Sequence, residues 1–256
     1  MTDDEIQWDP ATTPENRSLM AHLDEIATRV EEKKRRQREL AERFAAALPA
    51  AAAEVEARMQ ARGGKNVREE DLRGGLADAL RKSGELVLTE AQMAVPGWTA
   101  NLGGFDLAIV DHDSVILGET KWADGNLYEA MWDILKLASA TTAPRVEAGV
   151  VFYAAPIKQW HQAGTCAQLF EDRFVTGRDL ILAFPRRWQT NLDGSSAKPH
   201  AVPTPINLRL LGNEEIEILG KQYAIRALSV LGDEPLYTLE NGWPHGEPPT
   251  EAKPLQ

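Results

Sequence analysis

Asp106, Glu119 and Lys121 are the residues whose types and spacing point most clearly to chemistry. They lie in Gly103-Gly104-Phe105-Asp106-Leu107-Ala108-Ile109-Val110 and Val115-Ile116-Leu117-Gly118-Glu119-Thr120-Lys121-Trp122, two apolar runs separated by Asp111-His112-Asp113-Ser114. That pattern predicts two strands joined by a tight polar turn. Asp106 opens the first strand while Glu119 and Lys121 close the second, so a hairpin delivers all three to one end. Period-two alternation puts Glu119 and Lys121 on one face, where both can aim at the same point as Asp106. Two carboxylates meeting beside a buried sheet repel unless something positive sits between them, and hard oxygen donors suit Mg²⁺ or Mn²⁺. Such an ion coordinates a phosphate oxygen and acidifies bound water, while Lys121 orients or activates the nucleophile and offsets transition-state charge. Phosphodiester hydrolysis is the reaction this arrangement suits.

The surrounding sequence has to supply elements that hold the hairpin. Leu72, Leu76 and Leu80 form one apolar face of a helix that begins in Glu69-Glu70-Asp71 and stops at Ser83-Gly84. Residues 85–93, with Leu86 and Leu88 alternating against polar neighbours, predict a strand, and Pro96-Gly97-Trp98 the turn after it. After the hairpin, Ala123-Asp124-Gly125-Asn126 breaks the chain ahead of an amphipathic helix over about 127–140, and 148–153 returns to strand. A strand, a helix and a further apolar strand imply a crossover whose strands lie parallel. The fold class is therefore α/β, a mixed central sheet flanked by helices.

This order of helix, strand, strand opening on Asp, strand closing on Glu-x-Lys, helix and strand resembles the core of the PD-(D/E)XK, restriction-endonuclease-like nuclease superfamily. The resemblance spans roughly Val67 to Pro156, under half of the chain. It implies that Asp106 and Glu119 are metal-binding acids, that the Thr120 carbonyl is a backbone ligand and that Lys121 is the catalytic lysine. The acid that such proteins often carry on the first helix would be Glu70, with Glu69 as the substitute. Members cleave or process DNA, less often RNA, with Mg²⁺. Where the family has a proline before its first acid, this chain has Phe105. Glu-x-Lys recurs at Glu31/Lys33, Glu32/Lys34 and Glu251/Lys253, but no apolar strand precedes any of these. The competing account of Glu119 and Lys121 is a surface ion pair on a strand edge.

Around that core, residues 1–12 read as a loose tail and 13–62 as a helical arm, started by Thr13-Pro14-Glu15. Leu19, Leu23, Ile26, Val30, Leu40 and Phe44 follow a heptad track interrupted by Lys33 and Gln37, a candidate coiled coil for a homodimer. Pro49 is expected to end or kink the arm before a second, alanine-rich helix over 50–61. Residues 63–160 form the nuclease-like core, 161–241 a β-rich C-terminal extension and 242–256 a disordered tail. Within the extension, 167–174 reads as helix, 179–184 as strand and 186–205 as a long loop. A three-strand meander over 207–231 is expected to turn at Gly212-Asn213 and Gly220-Lys221.

Composition narrows the function classes. The 256 residues are 43% hydrophobic and 26% charged, as in an ordinary globular protein. The net charge of −11 is spread along the chain, which argues against affinity built by blanketing phosphates with lysine and arginine. It leaves open a metal-bearing carboxylate site, where the ion reverses the local field. A single cysteine, Cys166, excludes an intrachain disulfide, and the acidic start with no long apolar window predicts a cytoplasmic protein without a membrane segment. Gly64-Lys65 lacks the rest of a phosphate loop, since Met59 stands where a glycine is needed. The five histidines show no zinc spacing. Tyr128, Trp132 and Lys136 share a helix face beside Trp122; packing is the simpler role for the aromatics, base stacking the sharper one, and Lys136 can reach a phosphate. Arg186-Arg187-Trp188 is a small cationic and aromatic cluster in the expected loop.

Overall fold

The computed structural model describes residues 13–63, 68–98, 103–122, 129–162, 170, 173–175, 201–233, 236–239 and 252–254. Lys65, Tyr128, Cys166, Arg186, Arg187, Trp188, His200, His245, the expected strand over 179–184 and the tail 1–12 lie outside the described residues.

The chain divides into two compact units, residues 1–40 and 41–256. In the first, the described residues after Thr13 belong to a long helix, α1 (Pro14–Ala61). The Thr13 hydroxyl accepts the Asn16 amide at 3.2 Å, the capping expected of Thr-Pro at a helix start. The chain continues as helix through Pro49 instead of stopping there. Burial outweighs the lost hydrogen bond, because Leu48, Ala51, Ala52, Val55 and Met59 on either side of it are all in the core of the second unit.

The second unit contains α2 (Glu69–Lys82), β1 (Leu86–Met93), β2 (Gly103–Asp111), β3 (Ser114–Trp122), α3 (Glu129–Ala140) and β4 (Val146–Pro156) in that order. The first acids of α2 favour its N-terminus, and Asp71 reaches back to accept the Arg68 amide at 3.2 Å. Strands β1, β2 and β3 form an antiparallel meander, with Asp111 opposite Ser114 at the tight turn. After the α3 crossover, β4 pairs parallel to β3, with Glu119 opposite Val151. Gly149 of β4 lets α3 close in, since a Cβ there would lie 2.7 Å from Leu137 Cβ. A short helix, α4 (Ile157–Gln162), follows, then β5 (Arg173–Val175), β6 (Ala201–Pro203), β7 (Ile206–Ile218), β8 (Lys221–Gly232), β9 (Leu236–Leu239) and β10 (Ala252–Pro254).

Seven strands form one mixed sheet in the order β1-β2-β3-β4-β8-β7-β5, and β10-β9-β6 form a second. The α/β class with a mixed sheet, flanking helices and an N-terminal helix is thus present. The residues expected to form a separate extension instead complete the central sheet, since β8 pairs antiparallel with β4 along eight positions.

Four local expectations differ. Strand β7 runs straight through Gly212-Asn213, so a long hairpin with β8 replaces the meander. Gly212 serves close packing rather than a turn, because a Cβ there would meet Leu48 Cδ2 at 2.8 Å. Arg173 and Phe174, expected at the end of a helix, pair with β7 as strand. The expected loop and the expected disordered tail each contribute a strand to the small sheet, β6 and β10. In β1 the buried residue is Val87, while Leu86 and Leu88 are exposed. This is an edge strand, and the main contacts of α3 with the sheet are with β4 and β8.

Candidate active site

Both strands of the β2–β3 hairpin contribute to the site, at the end away from the turn. The recorded ladder runs from Asp111/Ser114 to Leu107/Gly118. Beyond it, the Thr120 amide donates to Asp106 Oδ2 at 2.8 Å and the Thr120 hydroxyl to the same oxygen at 2.7 Å. The other carboxylate oxygen, Oδ1, takes a hydrogen bond from Arg73 of α2 at 3.1 Å. Across from Asp106 the edge strand is irregular, with Glu90 at φ 57° and its carboxylate 3.3 Å from the same Arg73 guanidinium.

Glu119 is 5% exposed. Its Oε1 is in ion-pair contact with Lys136 of α3. The same ammonium donates to the Gly104 carbonyl at 2.7 Å and lies 4.9 Å from the centre of the Phe105 ring. Lys136 therefore ties α3 to the opening of β2 and to the end of β3 together. Lys121 lies 3.2 Å from Glu69 Oε2 at the start of α2. Glu70, the first-choice helix acid, is exposed, and Glu69 is the acid that meets Lys121.

The residue that sequence reasoning missed is Asp133. It sits one helical turn before Lys136, is 7% exposed, and its Oδ2 has no hydrogen-bond partner among the described residues. The available signal was a lone acid between Trp132 and Ile134 on an otherwise apolar helix face, since buried acids are rare unless matched by charge. Burial, then the Asp133 charge, push the Glu119 carboxyl up to about 8, and Asp106 adds to the rise while Lys136 opposes it. Burial likewise raises Asp133 to about 6, against the pull of Lys121 and Lys136 and with the push of Asp106 and Glu69. Asp106, Glu119, Lys121 and Asp133 thus form one electrostatic cluster.

Asp106, Glu119, Asp133 and Glu69, with the exposed Glu90 beside Arg73, outnumber the three cations Arg73, Lys121 and Lys136. That excess, together with the buried Asp133 Oδ2, which has no hydrogen-bond partner among the described residues, is the donor chemistry a hard cation satisfies. Among the described residues no group of three or more His, Cys, Asp or Glu side chains forms a ready cage. Mg²⁺ needs none, because it commonly keeps several waters and takes one or two carboxylates plus substrate phosphate oxygens. Asp106 and Glu119 with the Thr120 carbonyl fit such a sparse site.

Of the aromatic neighbours, Trp132 packs edge-on against Trp98 at 4.8 Å and Trp122 against Tyr223 at 5.1 Å between ring centres. Both are packing contacts. No helix among the described residues is long and apolar enough to cross a membrane. No family model matches the chain, and no curated protein or solved structure shows significant similarity to it.

Proposed function

We propose that this protein is a Mg²⁺- or Mn²⁺-dependent nuclease of the PD-(D/E)XK kind that hydrolyses phosphodiester bonds, of DNA ahead of RNA. The observation that carries this reading is the gathering of Asp106, Glu119 and Lys121 at one end of the β2–β3 hairpin, inside a single charge cluster in which acids outnumber cations. The connection α2-β1-β2-β3-α3-β4, with β3 parallel to β4, supports it further, because it is the order that the family resemblance implies.

Asp106, Glu119 and the Thr120 carbonyl would hold the ion. When bound, it polarises a phosphate oxygen and lowers the pKa of coordinated water. Thr120 and Arg73 keep the Asp106 carboxylate in a fixed orientation through both of its oxygens. Lys121 places a positive charge beside the attacked phosphate, where negative charge grows in the transition state. Lys136 anchors Glu119 and offsets part of the local excess of acid.

The test is cutting of end-labelled DNA and RNA, single- and double-stranded, in Mg²⁺ or Mn²⁺. Glu119→Ala and Lys121→Ala should each lower the rate by about 10²-fold or more. Full cutting by either variant would show that these residues do not carry the reaction.

A second reading rests on a different observation. Leu19, Leu23, Ile26 and Val30 are 56%, 47%, 44% and 39% exposed along one heptad track of α1. A stripe of this period suits pairing with a second copy of the same helix. In the alternative account the protein is a catalytically inactive nuclease-fold module that assembles through this helix. Cutting by the purified dimer would reject that account and leave dimerisation intact.

A further inference from the structure

The same edge of the sheet that carries the acidic cluster continues past it. Strand β2 starts there, β3 and β4 end there, and β8 begins there, with Trp122 opposite Ala154 and Pro156 opposite Tyr223. Beyond β3 along this edge is a cleft of about 810 Å³ formed by Pro156, Ile157, Lys158, Lys221, Gln222 and Tyr223. Its volume lies within the range of ordinary ligand sites. Its outer wall is the β7–β8 turn, where Leu219 and Gly220 both take positive φ, 48° and 76°.

Two features give the cleft a chemical preference. Lys158 and Lys221 are exposed, and neither meets a carboxylate at ion-pair distance among the described residues. Most basic side chains around the acidic cluster are, by contrast, already engaged. Tyr223, on the cleft wall, packs against Trp122, the residue immediately after Lys121. The cleft and the candidate reaction centre therefore lie at the same end of the central sheet, and the cleft carries two ammonium groups without an ion-pair partner among the described residues. With strands about 4.8 Å apart, the step from β3 across β4 to β8 is about 10 Å.

We propose that this cleft holds the phosphodiester backbone of the substrate strand to one side of the bond positioned at Asp106, Glu119 and Lys121. Lys158 and Lys221 are the phosphate contacts. The assignment rests on the nuclease reading above for its substrate class, and it adds where that substrate runs. In a protein of net charge −11, local free lysines are the means of keeping a polyanion on one path.

The test measures binding apart from cutting. Fluorescence anisotropy with an end-labelled 20-nucleotide single strand, in Ca²⁺ and across a salt series, compares the full chain with Lys158→Glu/Lys221→Glu, and gels establish that the probe stays intact. Two lost phosphate contacts should weaken binding at least tenfold at moderate salt and reduce the log–log salt slope by about 1.4. A Lys158→Arg/Lys221→Arg variant should retain binding, and thermal melts report that each variant is folded. If wild type cuts while the Glu variant binds with unchanged affinity and slope, the cleft assignment is overturned and the nuclease reading survives. If the lysine variants lose binding but wild type never cuts, the cleft stands and the nuclease reading fails. Absence of binding by wild type overturns both.

Discussion

Glu119 and Asp133 set the pH response of the metal-free protein. Both carboxyls are raised in the folded state, Glu119 to about 8 from 4.5 and Asp133 to about 6 from 3.8, chiefly by burial. Across those intervals the folded chain holds protons that the unfolded chain has released, so stability falls as pH rises. The contribution is fully present below about pH 4 and is lost once pH passes about 8. Denaturant midpoints taken in EDTA should decline between pH 5 and pH 8.5, after allowance for the remaining acids. Glu119→Gln should flatten that decline and make the protein more stable than wild type at pH 8.5, even as it removes cutting. An unchanged pH profile in this variant would show that Glu119 is not the titrating group.

At the scale of elements, α3 matters through its fit against the sheet. Asp133 and Lys136 reach the end of β3 only because Gly149 lets the helix come close, with Leu137 at 2.7 Å from where a Cβ would stand. Gly149→Ala should cost about 1–3 kcal/mol by overpacking, read as a lowered denaturation midpoint. It should also reduce cutting beyond what the loss of folded protein explains, because displacing α3 moves the partner of Glu119. Activity per folded molecule equal to that of wild type would mean that α3 supports the sheet without tuning the site. The other testable element is the exposed track of α1. Ile26→Glu places a charge on a seam that needs apolar side chains and should convert a dimer to monomer in light-scattering chromatography. A wild-type protein that already elutes as a monomer would remove the dimer proposal.

For the whole molecule, charge decides how a nucleic acid can approach. A net charge of −11 repels a polyanion at long range. A bound divalent ion reverses the local sign. Affinity for an oligonucleotide in Ca²⁺ should therefore exceed affinity in EDTA by at least tenfold at equal ionic strength, and Asp106→Asn/Glu119→Gln should abolish the difference. Equal affinity with and without the ion would mean that the carboxylate cluster holds no cation for the substrate. The completed seven-stranded sheet also puts the cleft beside β8 on the same sheet as Asp106, though 49 residues lie between the end of β4 at Pro156 and the start of β7 at Ile206.

Local sequence was sufficient for the hairpin and for the end at which Asp106, Glu119 and Lys121 would meet. Alternation of apolar residues and the Asp111–Ser114 turn are short-range properties, and they act before any distant packing is known. The crossover to a parallel β4 was legible for the same reason, since only a helix of suitable length can join two parallel strands there. Tertiary structure alone decided which charges complete the site. Asp133 and Lys136 become partners of Glu119 because α3 docks on that face, and Glu69 rather than Glu70 meets Lys121 because the pitch and capping of α2 turn it that way. It also decided that Leu86 and Leu88 stay exposed and that Gly212 packs on Leu48 instead of turning the chain. Burial depends on what arrives from elsewhere in the chain, and no periodicity within one segment contains that information.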